Sequence, residues 1–300
     1  MRNVIADTIL AVLRRRSTWR LGRSLYLKAR FDPPNDPRLN GEHLIQRQLL
    51  MRLAERQEEA VVFDVGANVG EWTEFLLQEA SRLEMERRLT VHAFEPIPST
   101  FAVLKQRIEG HRLRNNVRLV PQALSNAAGS ADMFLSGETA ETNSLHPDAM
   151  TAAQARVVVH KNTADLYCSA GAIESIHYLK CDTEGHDMDV LRGAERLFRE
   201  QRVMACQFEY NHRWVYSRHF LKDVFDLFTG TPYRIGKITT RGVELYDSWH
   251  PELERFFEGN YLLFHPEARD WFPSHCGRFD TWNTYSADQP ARRVPAFHQG

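Results

Sequence analysis

Two groups of residues in this chain have types and spacings suited to chemistry. The first is VVFDVGANVG at 61–70, an apolar run that enters Asp64, Gly66, Asn68 and Gly70. Glycine removes the Cβ and tolerates positive φ, so the backbone at such a junction can come close to a bound small molecule. The second is KCDTEGHD at 180–187, where Asp182, Glu184, His186 and Asp187 crowd the end of another apolar run. Four titratable groups at one place are costly unless they serve one another, a metal or a substrate. Asp187 and Asp189 suit a helix start, where acidic residues complement the dipole. Asp182 and Glu184, with Gly185 behind them, look less like caps.

The spacing of the glycine turn narrows its ligand. A dinucleotide site shows G-x-G-x-x-G and a phosphate loop G-x-x-x-x-G-K-[ST], and neither is present. The turn here is D-x-G-x-x-x-G, which opens the backbone without building a strong anion cradle. That suits S-adenosylmethionine, which carries a sulfonium cation and an amino-acid end but no phosphate. VHAFEP at 91–96 is a second apolar run ending in an acidic residue, Glu95. A carboxylate at this place in a Rossmann-like sheet accepts both ribose hydroxyls. Without Glu95, the glycines would fit a purely structural turn.

These residues need a scaffold that brings strand ends together. FDPPNDPRLNGE at 31–42 is dense in Pro, Asn, Asp and Gly and marks a loop. Residues 42–58 have helical spacing at Leu44, Leu49, Leu50 and Leu53, and the core begins at Val61. A helix after Gly70 leads to the strand at 91–95, and a helix at about 99–109 leads to VRLVPQAL. The alternation argues for an α/β fold with a parallel sheet and right-handed crossovers. Loops at the carboxyl ends of such strands carry ligands, which singles out Thr142, Asn143 and Ser144 within 133–150; a surface loop without a role fits as well. The residues after Pro266 are polar and poorly patterned. The expected organisation is a basic helical extension over 1–58, a cofactor-binding domain over 59–268 and a polar tail over 269–300.

Composition sets outer bounds. With 300 residues, 43% of them hydrophobic, and a formal net charge of −1, the chain can bury one large core. Near-neutral charge without zinc-finger or RNP patterns argues against nucleic acid as a substrate. Cys168, Cys181, Cys206 and Cys276 lack C-x-x-C spacing, so neither a zinc knuckle nor a disulfide framework is expected, and a reducing cytoplasm is the default. The run VIADTILAVL is followed, not preceded, by its arginines, which fits neither an export signal nor a spanning helix. The first 30 residues nevertheless carry Arg2, Arg14, Arg15, Arg16, Arg20, Arg23, Lys28 and Arg30 against Asp7 alone. A basic helix of this kind can rest on an anionic membrane face or pack its Ile5, Ile9, Leu10 and Leu13 side on the domain; packing is the more common outcome.

DVGANVG, FEP, QALSN at 122–126 and KCDTEGHD, taken in order and together with NGE at 40–42, resemble the FkbM-type methyltransferases. The resemblance covers roughly Asn40 to His265. It implies a Rossmann-like class I methyltransferase fold whose seven-stranded, mostly parallel sheet ends in an antiparallel strand, here YLLFHP at 261–266. It implies S-adenosylmethionine held by Asp64, Gly66, Asn68, Gly70 and Glu95, with Ala123 and Leu124 bordering the adenine. It also implies O-methylation of a saccharide, glycolipid or secondary-metabolite hydroxyl. Cys181 and Asp187 depart from the family's usual aliphatic residue and Glu, which touches detail more than class.

Methyl transfer is an in-line displacement at an activated carbon, so positioning does most of the work. A hydroxyl acceptor also needs help losing its proton. Asp182 and Glu184 are placed at the reaction centre, Lys180 orienting them, with Glu209 or His186 assisting; His212 is a further candidate. Oxygen donors on Asp182, Glu184, Glu209 and Asn211 would also suit Mg2+ or Mn2+, although no spacing demands a metal. Tyr210, Trp214 and Tyr216 in FEYNHRWVYSRHF at 208–220 can stack on a sugar or belong to the core. Two other classes stay open: a nicotinamide-dependent oxidoreductase, which Glu95 suits but the missing third glycine does not, and a non-catalytic binding module that keeps the pocket.

Overall fold

Every second residue of the first strand faces a different core. In the computed structural model, which describes residues 15–32, 36–135, 143–146, 155–279 and 285–287, Ala60 and Val62 pack into one apolar cluster while Phe63 and Val65 pack into another across the sheet. A strand buried on both faces reads as a continuous apolar run, and VVFDV does.

In chain order the elements are α1 (Arg15–Ala29), α2 (Glu42–Arg56), β1 (Ala60–Val65), α3 (Glu71–Arg82), β2 (Leu89–Phe94), α4 (Pro98–Glu109), β3 (Val117–Val120), β4 (Ala123–Leu124), β5 (Gly129–Leu135) and β6 (Ala155–Asn162). There follow α5 (Ala164–Ala170), β7 (Tyr178–Cys181), α6 (Asp187–Gly193), α7 (Glu195–Arg199), β8 (Ala205–Tyr210), α8 (Trp214–Ser217), α9 (Leu221–Phe228), β9 (Arg234–Thr239), β10 (Gly242–Tyr246), β11 (Gly259–Phe264), β12 (Ser274–Phe279) and β13 (Tyr285–Ala287). Helices α2, α3 and α4 cover one face through Leu49, Leu50, Leu76, Leu77 and Leu104. Helices α5, α6, α7 and α9 cover the other through Cys168, Leu191, Leu197 and Phe225.

The main sheet runs β13-β12-β10-β9-β11-β8-β7-β1-β2-β3. Its inner part, β3-β2-β1-β7-β8-β11-β9, is the expected seven-stranded Rossmann-like sheet. β1, β2, β3, β7 and β8 pair in parallel. β11, the strand anticipated at 261–266, is last of the seven in the chain and antiparallel to both neighbours.

Three features differ from expectation. VRLVPQAL is not one strand: β3 ends before Pro121, which cannot donate to a ladder, and β4 joins a separate three-stranded sheet, β4-β6-β5. The stretch after 268 is not simply a polar tail, because Ser274–Phe279 pairs with β10 and Trp271 and Phe272 are 2% and 3% exposed in the core. The helical extension is not one unit either. α2 belongs to the core, whereas α1 buries none of its residues. Ile5, Ile9, Leu10 and Leu13 lie outside the described residues. Among the described residues, no helix is long and apolar enough to cross a membrane.

Candidate functional site

Strand register builds the site. Val65 pairs with Phe94 and with Cys181, and Cys181 pairs with Phe208. The next residue on each strand is therefore Gly66, Glu95, Asp182 and Glu209, a row across four adjacent carboxyl ends. In open α/β sheets this edge is where ligands bind. The row opens into a cavity of about 260 Å3 bordered also by Asn68, Gly70, Ala123, Leu124, Asn143, Lys180, Glu184 and His186.

On the turn side, Gly66 has φ 77°, and a Cβ there would run into the Asp182 carbonyl. Glu95 is 4% exposed. Its Oε2 accepts from the Asn68 N–H at 3.1 Å and its Oε1 from the Ile97 N–H at 2.9 Å. Burial nevertheless pushes its carboxyl up to about 7. Each oxygen keeps a lone pair, so the group retains the capacity to accept two further hydroxyls.

Asp64 is placed differently from the other candidates. It is fully buried behind the cavity wall, where Thr73 Oγ1 donates to its Oδ2 at 2.6 Å and Lys180 Nζ lies 3.3 Å from its Oδ1. It anchors the glycine turn from behind and does not line the pocket. Lys180 spans Asp64 and Asp182, the latter at 3.4 Å. Burial alone would lower this ammonium, but Asp64, Asp182 and Glu42 outweigh it and hold it charged. Lys180 therefore orients Asp182 only. Glu184 pairs instead with Arg213.

Oxygens of Asp182, Glu184 and Glu209 all lie within 4.8 Å of one another. Burial, followed by the Asp182 charge, raises Glu184 to about 8 and holds Glu209 far above the ordinary carboxylate range. Asp182 is the most open of the three, its side chain 36% exposed. Glu184 has φ 56° and Gly185 φ 91°, a left-handed pair that turns Glu184 back toward Arg213. Such strain in a non-glycine residue persists only where its surroundings enforce it. A carboxylate poised near neutral pH can take a proton from a hydroxyl. Asn211 presents no fourth oxygen, since its Oδ1 accepts from the Arg213 N–H and its Nδ2 donates to Glu209.

Asp187 opens α6 but its carboxylate accepts from Thr183 and from the Glu209 N–H, joining the loop after β7 to β8. His186 lines the cavity but points both ring nitrogens elsewhere, toward His146 and Ser125. Asn143 borders the cavity, and Ser144 Oγ donates to the Glu184 carbonyl; Thr142 lies outside the described residues. Tyr210 and Trp214 are core residues, at 1% and 0% exposure, whereas Val215 and Phe220 are exposed. Sequence reading missed Glu42 on the cavity wall, together with Thr73, Arg213 and Trp72. Glu42 had a signal in NGE, an acidic first turn behind a turn dipeptide. Thr73 and Arg213 had none, because their partners are set by topology.

Residues 64–238, more than half of the chain, match the family described as the methyltransferase FkbM domain. Among curated proteins, the chain is 39% identical over 89 residues to the 31-O-demethyl-FK506 methyltransferase FkbM of Streptomyces tacrolimicus, covering 30% of this chain and 31% of that one. It is 26% identical over 155 residues to the hexuronic acid methyltransferase AglP of Haloferax volcanii, covering 52% and 57%. It is 24% identical over 154 residues to Methyltransferase 1 of Beauveria bassiana, covering 46% and 59%. The chain thus spans less than two thirds of each relative's length. The crystal structure of Methyltransferase FkbM from Methylobacillus flagellatus aligns with a TM-score of 0.44 at 14% identity, over 69% of this chain and 44% of that one. On the extent of the domain match, with glycine turn, Glu95 and the acidic strand end all inside it, this chain belongs to the FkbM methyltransferase-domain family.

Proposed function

We propose that the protein is an S-adenosylmethionine-dependent O-methyltransferase acting on a hydroxyl of a saccharide, glycolipid or secondary metabolite. The observation that carries this reading is the row Gly66, Glu95, Asp182 and Glu209 across four strand ends, which puts a nucleoside-type cradle and a carboxylate cluster in one cavity. The names of two relatives, a 31-O-demethyl-FK506 methyltransferase and a hexuronic acid methyltransferase, support this choice of acceptor class.

In this reading Glu95 accepts the two ribose hydroxyls, the Gly66–Gly70 turn allows close backbone approach, and Ala123 and Leu124 border the base. Bound S-adenosylmethionine supplies an electrophilic methyl group. Asp182, held by Lys180, orients the acceptor hydroxyl. The proton released as the hydroxyl oxygen attacks passes to the Asp182–Glu184–Glu209 cluster, whose members are spaced to share it. The basic helix α1 is assigned a peripheral contact with an anionic membrane face, supported by its lack of buried residues and of acidic residues in its first turn.

Calorimetric titration with S-adenosylhomocysteine tests the assignment. Saturable binding that Glu95→Ala weakens at least tenfold is expected. A folded protein that binds no S-adenosylhomocysteine, or that binds NADH instead, overturns the reading.

A further inference from the structure

Beside the carboxylate cluster stands a second group that proton removal does not use. His146 Nε2 lies 3.0 Å from His186 Nδ1, and Asp189 Oδ2 lies 3.2 Å from the same nitrogen. All three donor atoms are within 4.8 Å of one another. His186 and Asp189 are 6% and 7% exposed.

The hydrogen bonds around the group fix which atoms face inward. Ser125 Oγ lies 3.3 Å from Asn126 Oδ1 and 3.0 Å from His186 Nε2, so when it donates to Asn126 it accepts from the Nε2–H. That tautomer leaves Nδ1 with a lone pair. Asn126 Nδ2 donates to Asp189 Oδ1 at 2.7 Å, and His219 Nε2 stands 3.7 Å from the same oxygen. Asp189 is thereby clamped with Oδ2 toward His186. A nitrogen lone pair and a carboxylate oxygen 3.2 Å apart repel unless a cation or a shared proton lies between them.

The arrangement has the features of a transition-metal centre. Bonds of about 2.0–2.1 Å from a tetrahedral ion place its ligand atoms about 3.3 Å apart, close to the 3.0 and 3.2 Å that separate His186 Nδ1 from His146 and Asp189. Ligating histidines donate their other ring N–H to a fixed acceptor, as His186 does to Ser125, and ligating carboxylates are themselves hydrogen-bonded, as Asp189 is by Asn126. Two imidazoles and one carboxylate suit zinc and its first-row neighbours, whereas the all-oxygen cluster of Asp182, Glu184 and Glu209 would suit harder ions.

We infer that His146, His186 and Asp189 bind a divalent ion of the zinc class, which ties the Asn143–His146 segment, with Asn143 and Leu145 on the cavity wall, to the start of α6. The ion is a tie between elements, independent of which methyl acceptor the cavity takes.

Co2+ is the probe, because its ligand-field absorption reports tetrahedral nitrogen and oxygen ligation without any turnover assay. Chelator-stripped full-length protein is expected to bind one equivalent with an intense visible band, displaced by Zn2+, and the bound ion should raise the melting temperature. His146→Ala and Asp189→Asn should each lose the band or weaken binding at least tenfold, while Asp182→Asn keeps it. Circular dichroism checks each fold, and His146→Gln, on the partly exposed segment, decides the matter if Asp189→Asn does not fold. The inference is overturned if folded wild-type protein gives no such band. It is overturned equally if Asp182→Asn abolishes binding while His146→Ala and Asp189→Asn retain it, which would put the ion in the carboxylate cluster.

Discussion

Glu95 shows how burial sets the working range of one residue. Its carboxyl sits at about 7 instead of 4.5 because burial outweighs two backbone N–H donors. Ribose hydroxyls need acceptors, and the ionised form offers both oxygens. S-adenosylhomocysteine affinity is therefore expected to be highest above about pH 7 and to fall by up to about tenfold per unit below it. Calorimetry across that range should show Glu95→Gln weaker and nearly flat. Stability runs the other way. A carboxyl raised on folding stabilises the protein fully below its unfolded value of 4.5 and loses that contribution as pH climbs through its folded value, about 7 for Glu95 and about 8 for Glu184. Thermal melts of ligand-free protein should accordingly decline across that window. The carboxylates at the strand end are separable by a second pair of variants. Asp182→Asn, at a partly open side chain, should abolish turnover with an unchanged melt. Glu184→Gln should abolish turnover and also destabilise above about pH 8, where the lost carboxylate would stand ionised beside Arg213. The cost should stay below the about 3–5 kcal/mol seen for breaking a fully buried pair. Normal turnover in both variants would remove the cluster from the mechanism. That Gly66, Asn68, Gly70 and Glu95 line the cavity could be read from the sequence because glycines and an acid at strand ends are local signals. That Lys180 serves Asp182 but not Glu184, and that Asp64 lies behind the wall, depends on distances between strands, and no local pattern encodes these.

At the scale of elements, conformation and exposure make the testable statements. Gly66→Ala forces a side chain into left-handed backbone against the Asp182 carbonyl, so β1 and β7 cannot keep their approach. Loss of S-adenosylhomocysteine binding is expected, more complete than for Glu95→Ala; retained affinity would show that the turn does not contact the ligand. Helix α1 leaves Trp19, Leu21 and Leu25 at 64%, 49% and 59% exposure, with Arg15, Arg16, Arg20, Arg23 and Lys28 on the same helix. Basic amphipathic helices with exposed aromatics bind anionic interfaces. Co-sedimentation with vesicles containing phosphatidylserine should be lost when residues 1–30 are deleted and should weaken at high salt. Unchanged binding after deletion would sink the membrane contact. Elements with strong periodicity, α2 to α4 and β1, β2 and β7, were legible in the sequence for the reason that both sheet faces are covered. The break between β3 and β4 was not, although Pro121 carried the signal, because VRLVPQAL is apolar enough to pass for one strand. The aromatic run at 208–220 was ambiguous for a related reason. Tyr210 ends β8 and Trp214 opens α8, and only the packing of Tyr261 and Phe256 on Tyr210, and of Trp214 on Phe208 and Tyr210, decides that they are core.

At the scale of the whole molecule, the seven-stranded sheet is widened beyond what its motifs require. β10 extends the edge after β9, and β12 pairs with β10 in parallel, so the chain after residue 268 closes an edge that would otherwise present unpaired backbone. Trp271 and Phe272 pack into the same cluster as α2 and α3, and the Arg56 guanidinium lies 5.6 Å from the Trp271 ring. The sequence hides this because the segment has no strict alternation. Its burial comes from two consecutive aromatics in a turn, a pattern that reads as a loop. Its contribution is measurable. Removing a buried Trp or Phe side chain costs about 3–5 kcal/mol, and an exposed strand edge invites pairing between molecules. A chain ending at residue 268 is therefore expected to melt well below the full-length protein and to aggregate, whereas one ending at 279, which keeps β12, should melt near the full-length value. Trp271→Ala in the intact chain should reproduce most of the loss in melting temperature without the aggregation, since it leaves β12 paired. Equal melts for the chains ending at 268 and 279 would mean that the segment only rests on a complete seven-stranded domain, and that the domain ends at β11.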